Sequence, residues 1–266
     1  MTTGALIFAY NNEQIDYLSM ARWSARNIDR HLGIPTAIIT NVPFAERAYE
    51  QCIYVEPTGT NTRYFGDYDT TVTWHNTNRM DAYTLSPWSQ TLLLDADYVV
   101  ASNQLKTILE CDQDFMCHRL AYDVTGLQTF EDLNVFGQHN FPMWWATVIM
   151  FRKSQKAQVI FESMAMVKDN WTHYRNLYAN PRPTYRNDHA LSIALNIENG
   201  HTLETTDIPW NLASLTPDHQ LTKIEQDQYR IDFVTADKKP RWIELIGQDF
   251  HAMGKKQLGD IVASTC

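Results

Sequence analysis

Two aspartates one residue apart follow an unbroken apolar run in Thr91-Leu92-Leu93-Leu94-Asp95-Ala96-Asp97. Carboxylates so placed suit a divalent cation that also grips a diphosphate, because Mg2+ typically takes one or two carboxylates together with phosphate oxygens. Position gives the pair its weight. Ligands of open α/β sheets bind beyond the carboxyl ends of the strands. The same Asp-x-Asp pattern at Asp67-Tyr68-Asp69 and Asp112-Gln113-Asp114 has no apolar strand before it. The plain alternative is a solvated aspartate pair capping a turn.

A second set of reactive groups stands near the C-terminus, in Asp249-Phe250-His251-Ala252-Met253-Gly254-Lys255-Lys256. An imidazole completes a metal site, a glycine lets backbone approach a phosphate, and lysines neutralise charge on a departing diphosphate. Such a histidine near lysines is otherwise surface decoration. Phe141-Pro142-Met143-Trp144-Trp145 offers tandem indoles, either a stacking surface for an acceptor sugar or base or an anchor in the core. Between Trp171 and Asn187, His173, Arg175, Arg182 and Arg186 alternate with Tyr174, Tyr178 and Tyr185 and no acid intervenes. That stretch is either a phosphate track for a single strand or a solvated loop.

The elements that must position these groups read as an α/β domain. Ala5 to Ala9 is a short apolar strand. Ile15, Leu18, Ala21, Ala25, Ile28 and Leu32 recur at helical spacing and stop at Gly33 and Pro35, and Thr36 to Thr40 is a second strand. Strands apolar throughout, without alternation, predict a doubly wound, mostly parallel sheet covered by helices on both faces. Cys52 to Val55 predicts a third strand, Pro57 to Thr73 a long loop, and Arg79 to Leu85 a helix. Thr91 to Leu94 and Ala146 to Phe151 predict two buried strands. A helix follows with Ile160, Met164, Val167 and Trp171 on one face, then one capped by Asn187 and ending at Gly200, and finally a terminal pair of strands from Gln228.

With these residues in view, the chain resembles the glycogenin-like branch of the GT-A glycosyltransferases. The resemblance rests on Ala9-Tyr10-Asn11-Asn12 with Tyr17, the strand-borne Asp-x-Asp, Asn187-Asp188-His189 on a later helix, and the terminal His-x-x-Gly with lysines. It implies a GT-A-type mixed, mostly parallel sheet, Mn2+ or Mg2+ held by Asp95, Asp97 and His251, and a nucleotide-diphosphate sugar, a UDP-sugar, as donor. It also implies that Gly254 with Lys255 or Lys256 faces the diphosphate, that Asn11 and Tyr17 lie near the base, and that Asp188 lies near the transferred sugar. Retention of anomeric configuration follows from the same likeness. The family pattern carries a lysine six residues after the histidine, where this chain has Gln257.

Asn61-Thr62-Arg63-Tyr64-Phe65, Arg79-Met80-Asp81-Ala82-Tyr83 and Leu93 to Tyr98 are similar to glycosyltransferase-like proteins of tailed bacteriophages. That similarity implies a hydroxyl acceptor such as a hydroxymethylated pyrimidine in phage DNA, with Arg63 and Arg79 as donor-side cations or surface charges.

Composition narrows the classes. The 266 residues, 44% hydrophobic and 20% charged, predict one globular domain, its nucleotide half ending near residue 110 and its acceptor half following. A net charge of −9 argues against a broad non-specific nucleic-acid surface. No apolar run is long enough for a membrane span and the first strand lacks a signal peptide's features, so a cytoplasmic protein with reduced cysteines is expected. The oligomeric state is open. Three rivals use the same residues: a haloacid-dehalogenase-like phosphatase, a nucleotidyltransferase and a non-catalytic sugar-binding protein. The first normally opens its domain with the Asp-x-Asp, and the second carries a Gly-rich loop that Tyr10-Asn11-Asn12-Glu13 does not supply.

Overall fold

The computed structural model describes residues 2–43, 51–57, 61–65, 69–181, 184–202, 207–217 and 219–265, and the side chains of Arg63 and Phe65 also lie outside the description. Arg182, Asp67 and Cys266 are therefore outside the described residues.

Six strands form the central sheet, in the order Gln51–Tyr54, Thr36–Thr40, Thr3–Ala9, Gln90–Asp95, Trp145–Arg152, Phe115–His118. The first four run parallel, and Trp145–Arg152 is antiparallel to both its neighbours. Consecutive residues of a strand point to opposite faces. Ala5, Leu6 and Ile7, and likewise Leu92, Leu93 and Leu94, have no exposed surface, so both faces are covered. Burying each such Leu or Ile contributes about 1.5–3 kcal/mol, which explains why these runs show no alternation.

The first crossover is the helix Tyr17–Leu32, which begins where Asp16 accepts from the amide of Ser19 and ends at Gly33 in the left-handed region, φ 68°. It packs on the strands it joins, while the helix Asn187–Glu198 packs on Trp145–Arg152 and against the helix Gln155–Asp169. This is the mixed, mostly parallel α/β architecture with helices on both faces that the apolar strands imply.

A second sheet decides where the tail lies. Tyr98–Val99, Phe250–Ala252, Leu212–Leu215 and Ala121–Asp123 lie side by side, so the chain's end returns beside the residues that follow the Asp-x-Asp. A three-stranded antiparallel sheet of Gln220–Glu225, Gln228–Val234 and Pro240–Ile246 precedes this return, and the helix Lys255–Thr265 closes it against Tyr17–Leu32.

Three local expectations change. The polar stretch from Pro57 to Thr73 is not all loop: Asn61–Phe65 pairs with Thr70–Trp74, a hairpin whose Thr-rich strands carry β-propensity without an apolar period. Asn187 does not cap its helix, since its amide donates to the carbonyl of Asn76 at 2.8 Å. The expected terminal pair forms as Gln228–Val234 with Pro240–Ile246, but it is extended by Gln220–Glu225, which alternates too weakly to be read alone, and is followed by Phe250–Ala252 in the second sheet. No helix among the described residues is long and apolar enough to cross a membrane.

Candidate active site

Main-chain pairing carries the tail histidine to the mid-chain aspartates. His251 sits opposite Tyr98 in antiparallel register, and the amide of Ala252 donates to the carbonyl of Asp97 at 2.9 Å. Consequently His251 Nε2 lies 3.2 Å from Asp97 Oδ2, and one ligand atom from each of Asp95, Asp97 and His251 falls within 4.8 Å of the others. Asp97 and His251 are 5% and 7% exposed, so little water competes for them. Burial holds the His251 imidazole below its usual pKa against the pull of Asp95 and Asp188, which keeps a ring nitrogen free to ligate at neutral pH. Two hard oxygens and one imidazole nitrogen at this spacing fit Mg2+ or Mn2+.

The three residues line a cavity of about 550 Å³ at the carboxyl edge of the parallel strands, within the size range of small-molecule sites. Trp145–Arg152 runs the other way and contributes its amino-terminal end to the same edge, placing Ala146 and Thr147 in the wall.

Charge in this cavity is matched pair by pair. Arg79, 1% exposed in the turn Arg79–Asp81, places Nη1 2.7 Å from Asp95 Oδ1. The ammonium of Lys255 lies on Asp97 Oδ2. Arg186 Nη2 lies 2.9 Å from Asp188 Oδ2, and the amide of Ala146 donates to Asp188 Oδ1 at 3.0 Å. Burial alone would raise the Asp188 pKa, but the Arg186 guanidinium and that amide overcome it and leave the carboxyl below its ordinary range. These three carboxylates and three cations leave the walls balanced, so a divalent cation and a diphosphate entering together preserve neutrality whereas either alone does not.

The structure sorts the remaining candidates. Tyr17 and Lys255 line the cavity, whereas the exposed Lys256 does not, which separates the two lysines. Gly254 precedes the terminal helix between Met253 and Lys255, both in the wall, and its carbonyl accepts from Leu258. Gln257 is turned to the three-stranded sheet, where it accepts from the amide of Leu221. Asn11 is not part of the lining. Its Oδ1 accepts from the amide of Leu18 at 2.8 Å and its Nδ2 donates to Asp16 at 2.9 Å, so it organises the start of the first helix, and its neighbour Tyr10 enters the wall instead. Arg79 faces the cavity but is engaged by Asp95, and the side chain of Arg63 lies outside the described residues.

The tandem tryptophans require a correction. Trp144 and Trp145 are 0% and 2% exposed and take no part in the lining, so neither presents a face to an acceptor. Trp145 packs edge-on to the His251 ring, centroids 6.3 Å apart, and buttresses it. The basic and aromatic run after Trp171 is not one surface either: Tyr185 is buried at 6% and Arg186 belongs to the cavity.

Several lining residues escape sequence reasoning. Trp74, at the end of the unforeseen hairpin, and His75 and Asn76 after it enter the wall, with His75 Nδ1 and Asn76 Oδ1 buried and without a hydrogen-bond partner among the described residues. Thr147 reads in the sequence as one more residue of a buried strand. Arg186 had a signal, its place two residues before Asp188 at a helix start, where a cation holds an otherwise costly buried carboxylate.

No protein-family model matches this chain, and no curated protein matches it. Among solved structures it is similar to the glycosyltransferase GlyE of Streptococcus pneumoniae TIGR4, at 12% identity over 79% of this chain and 46% of that one, TM-score 0.46. The galactosyltransferase LgtC in complex with donor and acceptor sugar analogs aligns at 14% identity over 72% of this chain and 70% of that one, TM-score 0.45. CMP:2-keto-3-deoxy-manno-octonic acid synthetase complexed with CTP aligns at 9% identity over 78% and 90%, TM-score 0.41. This chain thus spans less than half the length of GlyE. The likenesses assign no activity.

Proposed function

We propose that the chain is a metal-dependent glycosyltransferase that moves a sugar from a nucleotide-diphosphate sugar, a UDP-sugar, to a hydroxyl acceptor. One observation carries the reading: a strand register brings His251 onto Asp97 beside Asp95, in a cavity whose third carboxylate, Asp188, is held ionised by Arg186. Asp95, Asp97 and His251 would hold Mn2+ or Mg2+, which neutralises charge developing on the diphosphate as it leaves.

The chain's own groups do the rest. In transfer, the bond between the anomeric carbon and the diphosphate oxygen breaks, a bond to the acceptor oxygen forms, and the hydroxyl proton passes to the departing phosphate or to solvent. Lys255 supplies a second positive charge beside the leaving group, the role that the resemblance gives to a lysine further along. Asp188 is the carboxylate suited to an electron-poor anomeric carbon, since Arg186 and the Ala146 amide keep it charged without occupying the sugar's place. That arrangement supports retention, with no general base required from the protein. Tyr10, Tyr17 and Trp74 offer aromatic surface for the base. Arg79 acts through Asp95, fixing its carboxylate by a buried ion pair.

The decisive experiment incubates the chain with Mn2+ and a panel of nucleotide sugars, and in parallel with a sugar phosphate alone and with a sugar phosphate plus nucleoside triphosphates, and identifies the small product. Free nucleoside diphosphate, abolished by EDTA, is expected; inorganic phosphate would indicate a phosphatase, pyrophosphate from a nucleoside triphosphate a nucleotidyltransferase, and no turnover a binding protein. Saccharides and DNA containing hydroxymethylated pyrimidine, the acceptor that the phage resemblance implies, belong in the acceptor series.

A further inference from the structure

A second cleft adjoins the sheet that carries His251, and the proposed transfer reaction does not use it. It has a volume of about 410 Å³ and is lined by Tyr98, His118, Tyr122, Trp210, Gln248 and Asp249, among others. His118 ends an edge strand of the central sheet and has no exposed surface, yet among the described residues neither of its ring nitrogens has a hydrogen-bond partner. Among the described residues its ring packs against Trp210, edge to face at 6.2 Å. Leaving both polar atoms of a buried imidazole unpaired is costly, and such groups in native structures ask for an explanation. Gln248 Nε2 donates to the Tyr122 hydroxyl at 2.6 Å across the rim, and Asp249 Oδ1 accepts from the amide of Ala101 at 2.8 Å.

We propose that this cleft binds an uncharged saccharide, packed on Trp210 and hydrogen-bonded by His118 and Gln248. The chemistry of the walls selects that class. A neutral imidazole offers one donor and one acceptor, and a sugar hydroxyl is both, so a hydroxyl that reaches one ring nitrogen pairs with it in either tautomer. Burial keeps the imidazole neutral, with its pKa lowered to about 3. No lysine or arginine lines the cleft among its described residues, and Asp249 stands in its wall, so phosphate and nucleic acid find no counter-charge. Partly buried Trp210 and exposed Tyr122 supply the apolar surface that the CH face of a pyranose requires.

The test uses the full chain with lactose, maltose and N-acetylglucosamine, read by saturation-transfer NMR and calorimetry, with glucose 6-phosphate as the charged control. At least one neutral sugar is expected to bind, in the presence of saturating UDP and Mn2+ as well as without them. Trp210→Ala should weaken it about tenfold. Gln248→Ala, at the rim, should weaken it less and serves as a second variant should Trp210→Ala fail to fold. Asp97→Asn should leave saccharide binding unchanged, which keeps this site separable from the proposed transferase centre. The proposal is overturned if none of the three sugars binds, if UDP displaces them, if glucose 6-phosphate binds more tightly, or if both folded variants retain full affinity.

Discussion

The two clefts beside the second sheet follow opposite electrostatic plans. In the larger one every ionised carboxylate has a cation against it: Asp95 with Arg79, Asp97 with Lys255, Asp188 with Arg186. In the smaller one a neutral imidazole is buried with no hydrogen-bond partner among the described residues. Under the proposed function, matched charge suits a ligand that brings its own balanced charges, a cation and a diphosphate. Under the saccharide proposal, an unpaired neutral group suits a ligand rich in hydroxyls. The difference teaches that two sites a few residues apart can be separated by chemistry alone, since His251 serves one and Asp249 the other.

The contrast can be broken most forcefully at Asp97. Asp97→Ala removes a proposed metal ligand and the carboxylate against Lys255, so donor turnover should fall by about a thousandfold or more, with the fold retained by circular dichroism. Turnover near the parent level would remove the metal from the scheme. Asp188→Asn, which keeps shape and loses charge, should lower kcat by about a hundredfold with a smaller change in KM. An equal loss in both, or none, would show that Asp188 only organises the helix start.

Charge matching makes a softer prediction about binding. UDP affinity, measured by calorimetry, should rise about tenfold or more when Mn2+ is present, and Mn2+ affinity should rise by the same factor when UDP is present, as linkage requires. Independent binding of the two would contradict a pre-balanced cavity.

The smallest effect belongs to the neutral cleft. The folded His118 pKa is lowered to about 3 by burial, so the unfolded chain binds a proton that the folded chain does not between about 3 and the ordinary histidine value of 6.5. Its contribution to stability is therefore full above that value and is lost as pH falls through the window, at a slope of up to about 1.4 kcal/mol per pH unit. Urea unfolding at pH 7 and pH 5 should show a smaller loss for His118→Gln than for the parent chain. Identical losses would mean that the imidazole is not held neutral.

What the residues disclose on their own is local. Leu92, Leu93 and Leu94 predict a strand buried on both faces, and Asp95 ends it as expected because the apolar pattern stops there. Tyr17–Leu32 and its Gly33 stop are equally legible, since helical period and a left-handed cap are written within a few residues. The hairpin Asn61–Phe65 and Thr70–Trp74 is not, because its pairing lies in a polar stretch without alternation.

The site follows the same division. Side-chain chemistry nominated Asp95, Asp97 and His251, the family resemblance added Asp188, and all four line one cavity. Their convergence was decided by the pairing of Tyr98 with His251, whose contact spans 154 positions between Asp97 and His251. That same fold turned Lys255 inward and Lys256 outward, paired Arg79 with Asp95, and sank Trp144 and Trp145 into the core. Residue type and short spacing set what each group can do, and strand and helix periods set which run is buried. Which groups meet depends on the register between distant strands, a product of whole-core packing that no local window of sequence contains.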